Sequence, residues 1–138
     1  MGATGPGPFD NDDALDFLDE LEDADPSERR GLVESAMGQV VRSQDYIEAP
    51  VMSQALAAAV LVSACDDFES VAGENNVPAW VDDEPLDVDD RLEELATALL
   101  RRVLDPDDNE LYELSADARD GGERFTARVT HYLDALGE

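Results

Sequence analysis

The sequence contains no lysine, a single histidine (His131), a single cysteine (Cys65) and a single tryptophan (Trp80), and its nine cationic side chains are all arginine. One cysteine cannot close an internal disulfide or build a thiolate metal cluster. Its place, after Val60, Leu61, Val62, Ser63 and Ala64, is that of a small core residue, and such usage fits a reducing cytoplasm. The first residues, Met1 to Asp13, hold neither a basic end nor an apolar run, so no secretory signal is expected. Pro6 stands where a myristoylation pattern needs Ser or Thr. Long apolar runs are also scarce. The longest uncharged stretch, Ala49 to Cys65, is rich in alanine and interrupted by Pro50, Ser53, Gln54 and Ser63, which describes a buried helix rather than a bilayer span.

What is abundant is acid. Thirty-five Asp and Glu residues in a chain of 138 give a formal net charge of -26. A protein that neutralises phosphates needs clustered Lys and Arg, so direct nucleic-acid binding is not expected, and an anionic membrane surface is disfavoured for the same reason. With 43% hydrophobic residues the chain is not a disordered acidic tail, and its length suits one domain, 1–138, with one core.

Apolar residues recur at helical spacing in nearly every segment and no clean strand alternation is found, which predicts an all-α single-domain bundle of about five to six helices. Residues 1–10 read as a Gly/Pro-rich loop. Asp10 or Asn11 is expected to cap a first helix striped by Ala14, Leu15, Leu18 and Leu21, with Asp12 and Asp13 favourably placed in its first turn. Asp25, Pro26, Ser27 and Glu28 open a second helix, Asp25 as capping acceptor, with Leu32, Val33, Ala36, Met37, Val40 and Val41 inward. Gly31 and Gly38 weaken that helix unless a neighbouring backbone packs against them.

A third helix, from about Pro50 to Phe68, is apolar on most of its circumference and belongs at the centre. The acidic segment 73–86 reads as a loop or single turn pinned by Trp80. Asp87 is expected to cap a fourth helix carrying Leu92, Leu95, Ala96, Leu99 and Val103. A short fifth, capped by Asp107 or Asp108, turns Leu111 and Leu114 inward. Gly121 and Gly122 precede a last helix with Phe125, Val129, Tyr132, Leu133 and Leu136 on one side.

Motifs that could carry chemistry fail on specific positions. The glycines Gly2, Gly5 and Gly7 follow no strand, bring no Lys, and lead into Asp10, Asn11, Asp12 and Asp13, whose up to three negative charges would repel a phosphate. Asp105, Asp107 and Asn109 have the spacing of the start of a calcium loop. Glu110, however, stands where that loop needs Gly, and Ala116 where it needs a bidentate Glu. His131 lies between Arg128 and Asp134 and reads as a surface or boundary histidine rather than a general base. No cofactor, catalytic residue or metal ligand is assigned.

The opening MGATGPGPFDNDDALDFLDEL is similar to the start of a bacterial family, domain of unknown function 4259, whose members begin Met-Gly-Ala-Trp-Gly and continue through Phe and Asn-Asp into an amphipathic helix. Tyr46, Ile47, Glu48, Ala49 and Pro50 with the following alanine-rich helix resemble its middle segment. Asp108, Asn109, Glu110, Leu111, Tyr112, Glu113 and Leu114 resemble its C-terminal signature. Thr4, Phe17 and Ser115 depart from it, each standing where Trp is usual or common. The resemblance implies an intracellular bacterial all-α domain and carries no activity or catalytic residues to transfer.

Three functional readings follow. The first is a small non-enzymatic interaction protein of inhibitor or immunity type that covers a basic protein partner, with Trp80, Asp82, Asp83, Glu84, Asp87, Asp89 and Asp90 as the contact group, because a dense acidic face speeds association with a cationic one. The second is a divalent-metal or carboxylate-dependent enzyme using the same segment. The third is a structural domain whose charge serves solubility.

Overall fold

The computed structural model describes residues 9, 12–72, 74, 76–105, 110–116 and 122–136. Among these the fold is all-α and contains no strand. Its α-helices are α1 (Asp12–Asp23), α2 (Pro26–Val41), α3 (Ala49–Asp66), α4 (Trp80–Asp83), α5 (Asp90–Val103), α6 (Glu110–Ala116) and α7 (Glu123–Ala135), with a 3-10 turn at Phe68–Val71. The expected helices are thus present, and the Trp80 segment adds a one-turn seventh.

The centre is α3, against which α1, α2, α5 and α6 all pack. It is buried without a break from Ala55 to Ala64. By length and composition it could cross a membrane, yet 67% of that window lies inside the fold. Its all-round apolar surface is what a helix needs when neighbours cover every side. It stops at Asp66 rather than Phe68, because Asp67 turns extended and its carboxylate takes the Glu69 N–H at 3.2 Å, starting the 3-10 turn. Phe68 is consequently 48% exposed.

The outer helices bury one stripe each. Ala14, Phe17, Leu18 and Leu21 of α1 are inside, so Phe17 joins the stripe and Leu15 sits at its edge. On α2 the buried set is Val33, Ala36, Met37 and Val40, with Arg29 and Gly38 among them. Leu92, Ala96, Leu99, Leu100 and Val103 of α5 are buried, and Leu95 only partly. Val129 and Tyr132 are the buried residues of α7.

The helix ends differ in detail from expectation. Asp25 occupies the start of α2 but its side chain caps nothing; the Asp25 carbonyl instead accepts from the Glu28 N–H at 2.8 Å. The cap of α5 is Asp89, not Asp87: its carboxylate accepts the Leu92 N–H at 2.9 Å. Gly122 opens α7 with φ 88°, a left-handed conformation that glycine adopts without penalty. The expected caps Asp10, Asn11, Asp107 and Asp108, the glycines Gly2, Gly5, Gly7 and Gly121, and Asn109 of the calcium-like spacing lie outside the described residues.

Leu114 is a correction. It is 56% exposed, because α6 is docked by main-chain and carboxylate bonds rather than by a long apolar stripe. The Glu110 N–H donates to the Ile47 carbonyl at 2.9 Å, and Glu110 Oε1 accepts from the Ala49 N–H at 2.8 Å. Leu111 is partly buried against the core, and Tyr112 meets Phe125 edge to face at 6.5 Å.

Candidate functional site

Two adjacent arginines at the start of α2 build the acidic end of the bundle. Arg29 is buried. Its Nε donates to the Leu21 carbonyl at 2.9 Å, in the last turn of α1, and its guanidinium lies 4.6 Å from the centre of the Trp80 ring. The carbonyl is at the negative end of α1 and the ring face is electron-rich, so both hold the cation without a carboxylate. Arg30 reaches the other way. Its Nη1 donates to the Asp87 carbonyl at 2.7 Å, its Nη2 to Asp89 at 2.8 Å, and its Nε to Glu34 one turn along at 2.9 Å.

These bonds bring together the C-terminus of α1, the N-termini of α2 and α5, and α4. Every carboxylate of the sequence-predicted group, Asp82, Asp83, Glu84, Asp87, Asp89 and Asp90, is exposed there. Glu22, Asp23, Asp25 and Glu28, flanking Leu21 and Arg29 in the chain, are exposed beside them. The positive ends of two helix dipoles lie under the α2 and α5 acids, which eases their crowding. The Asp89 carboxyl is held below the usual carboxylate range, first by the Leu92 N–H and then by Arg30.

Trp80 is placed differently from the expectation that set it on the contact surface. Only 7% of it is exposed, covered by Arg29, so its ring organises the acidic end from beneath and offers a partner little area. The sequence could not signal this. The covering residue is far away in the chain and looks like one more surface arginine.

A second polar cluster went unanticipated. The Glu74 carboxylate, with 4% of its side chain exposed, accepts from Arg128 Nη1 and from the Tyr132 hydroxyl. Burial, then the Glu74 carboxylate, raises the Tyr132 pKa above the ordinary tyrosine value. Nearby, His131 Nε2 lies 2.8 Å from the Ser70 carbonyl, while the Ser70 hydroxyl bonds Ser63 Oγ at 2.9 Å. The histidine therefore faces main chain rather than the serine hydroxyl, and this pair is not a nucleophile with its base. An open groove of about 420 Å³ beside it is lined by Ala72, Arg124, Ala127, Arg128 and His131. These polar groups pin the 3-10 turn and the segment after it to α7.

Cys65 is half-buried, and burial pushes its thiol pKa up, away from the thiolate that reactivity needs. No group of three or more His, Cys, Asp or Glu side chains is gathered to hold a metal ion among the described residues. The acidic end is thus an array of separately solvated carboxylates around two fixed arginines.

No curated protein and no solved structure matches the chain. The family described as Domain of unknown function (DUF4259) matches residues 2–128, nearly the whole length, and the chain belongs to that family.

Proposed function

We propose that this chain is a non-enzymatic cytoplasmic interaction module, of inhibitor or immunity type, whose acidic end covers a basic protein partner. The carrying observation is the anchoring by Arg29 and Arg30, which ties Trp80, the Asp87 carbonyl and the Asp89 carboxylate to the start of α2 and so groups the exposed Asp82, Asp83, Glu84, Asp87, Asp89 and Asp90 with the acids around Leu21 and Arg29. Preorganised charge lowers the ordering cost of binding and steers a cationic partner during approach. Trp80 contributes by supporting this end of the bundle; the contacts belong to the exposed carboxylates.

The test compares the wild type with an Asp83→Arg and Asp87→Arg double variant as baits in lysate of the source cells, at low and moderate salt. A basic protein held by the wild type, weakened by salt and lost from the variant supports the module. Equal retention by both baits overturns the assignment of this end.

A further inference from the structure

In a chain whose formal charge is -26, the groove beside the Glu74 cluster gathers cationic side chains. Its volume is about 420 Å³, and among the described residues Ala72, Arg124, Ala127, Arg128 and His131 line it. Arg124, Arg128 and His131 follow one another along α7 at steps of four and three, so they stand on one face of the helix. Glu69, Glu123 and Asp134, the exposed acids of the 3-10 turn and of α7, are not among the lining residues.

Two of these three groups are held from behind. Arg128 Nη1 donates to the buried Glu74 carboxylate, while 35% of the Arg128 side chain stays open. A guanidinium carries five N–H donors, and this bond engages one of its nitrogens. The His131 ring is set by Nε2, which lies 2.8 Å from the Ser70 carbonyl, and it meets Tyr132 edge to face at 4.9 Å. A carbonyl only accepts, so Nε2 carries the proton there and Nδ1 is left for another partner. Fixing these groups in advance lowers the ordering cost of binding.

The ligand class follows from its oxygens and its size. One guanidinium fork fills both oxygens of a carboxylate, whereas a phosphate monoester presents three and can bridge two guanidiniums one helical turn apart. The groove has the volume of a small-molecule site rather than of a bare ion, and the short side chains of Ala72 and Ala127 leave room for an organic portion. We propose that this groove binds a small phosphate monoester, with Arg124 and Arg128 on the phosphate and His131 Nδ1 beside them. The site is separate from the acidic end and from the partner assigned to it.

The experiment titrates the isotope-labelled full chain with glycerol phosphate, inorganic phosphate and acetate at matched ionic strength, following backbone amide shifts by two-dimensional NMR. Moderate salt screens repulsion from remote acids over a Debye length of about 8 Å. Saturable shifts centred on α7 and Ala72 are expected, with glycerol phosphate bound about tenfold more tightly than acetate. Arg124→Gln should weaken that binding by about tenfold. Ala127→Glu, which brings a carboxylate to the groove, should abolish it; both positions are exposed, so the fold is kept. Arg91→Gln removes the same unit of charge from an exposed position on α5 and should leave binding unchanged.

Equal binding of glycerol phosphate and acetate overturns the proposal. So do shifts that never saturate or that lie away from α7. Equal weakening by Arg91→Gln and Arg124→Gln overturns it too, since the response is then to total charge and not to a site. Inorganic phosphate bound as tightly as the ester would give the groove to the bare ion and overturn the small-molecule ligand.

Discussion

Arg30 and Asp89 stand 59 positions apart in the chain, and the Arg30 Nη2 donates to the Asp89 carboxylate at 2.8 Å while the other carboxylate oxygen caps α5. One side chain therefore both starts a helix and ties it to another. Asp89→Ala is expected to lower the melting temperature by about 5 °C at neutral pH, the scale of a lost cap. Asp89→Asn, which can still cap, should lose less. Because the folded-state pKa of Asp89 is depressed, its stabilisation is present above the ordinary carboxylate pKa and is lost as pH falls through the folded value. The gap between Asp89→Ala and wild type should accordingly close in acid, followed by thermal melts from neutral pH downward.

Glu74 is the buried partner of Arg128 and Tyr132, and its removal strands both. Glu74→Ala is expected to cost about 2 kcal/mol, since Arg128 is partly solvated and can be rehydrated. Tyr132→Phe should cost less. The Glu74→Ala and Tyr132→Phe effects should combine to less than their sum, because they share one hydrogen bond; urea unfolding of the double-mutant cycle checks it. A raised tyrosine pKa stabilises the fold below the ordinary tyrosine value, and that contribution fades as pH climbs past it. Absorbance titration should find Tyr132 un-ionised until the protein unfolds.

The two glycines inside α2 are not equivalent. A Cβ at Gly31 would meet nothing within 4 Å, whereas one at Gly38 would stand 2.6 Å from Arg42 Nη2 and 2.9 Å from its Cζ. Gly31→Ala should raise stability by about 1 kcal/mol through helix propensity alone. Gly38→Ala should gain less, since the Arg42 guanidinium must swing away; it is the end of an exposed, flexible side chain and can do so. Chemical denaturation of the two variants side by side measures the difference.

Among the described residues no carboxylate pairs with the buried Arg29, and its Nη1 has no hydrogen-bond partner. Replacing it with Met keeps aliphatic packing over Trp80 and removes that unpaired donor. Arg29→Met should therefore stay within about 1 kcal/mol of wild type, whereas Arg29→Ala, which leaves a gap over the ring, should cost about 3 kcal/mol. Emission from Trp80, the single tryptophan, should shift to the red in Arg29→Ala as water reaches the indole.

A net charge of -26 opposes compaction, so added salt should raise the melting temperature as self-repulsion is screened over a Debye length of about 8 Å at physiological ionic strength. Magnesium or calcium chloride at matched ionic strength should do no more than sodium chloride. An extra rise with a divalent ion would mean binding to the folded state and would favour the metal-dependent reading over the interaction module.

The parts of this fold legible in the sequence are those decided by local pattern. An apolar surface all round α3 made it central, and single stripes on α1, α2, α5 and α7 gave their buried faces. What escaped depends on pairs far apart in the chain. Asp87 and Asp89 are equally good caps by residue type, and Arg30 separates them by taking the carbonyl of one and the carboxylate of the other. Trp80 looked like surface until Arg29 covered it. Leu114 fits a helical stripe, but α6 is only a short segment oriented by Glu110 against the α2–α3 connection, and orientation rather than period decides what it buries. The acids of the candidate end were legible one by one; their grouping with the end of α1 was not.

The C-terminus of α2 has no basic residue in its last turn, and the cation that meets its carbonyls comes from α5. Arg102 donates to the carbonyl of Val40 at 2.6 Å, to that of Asp45 at 2.9 Å, and to that of Ser43 between them. The end of α2 is thus held twice, by its own backbone, where the Arg42 N–H donates to the Gly38 carbonyl at 3.0 Å, and by a side chain of another helix 62 positions away. Any opening that carries α5 away from the bundle therefore also strips the Arg102 bonds from the connection between α2 and α3, and the two share one local stability.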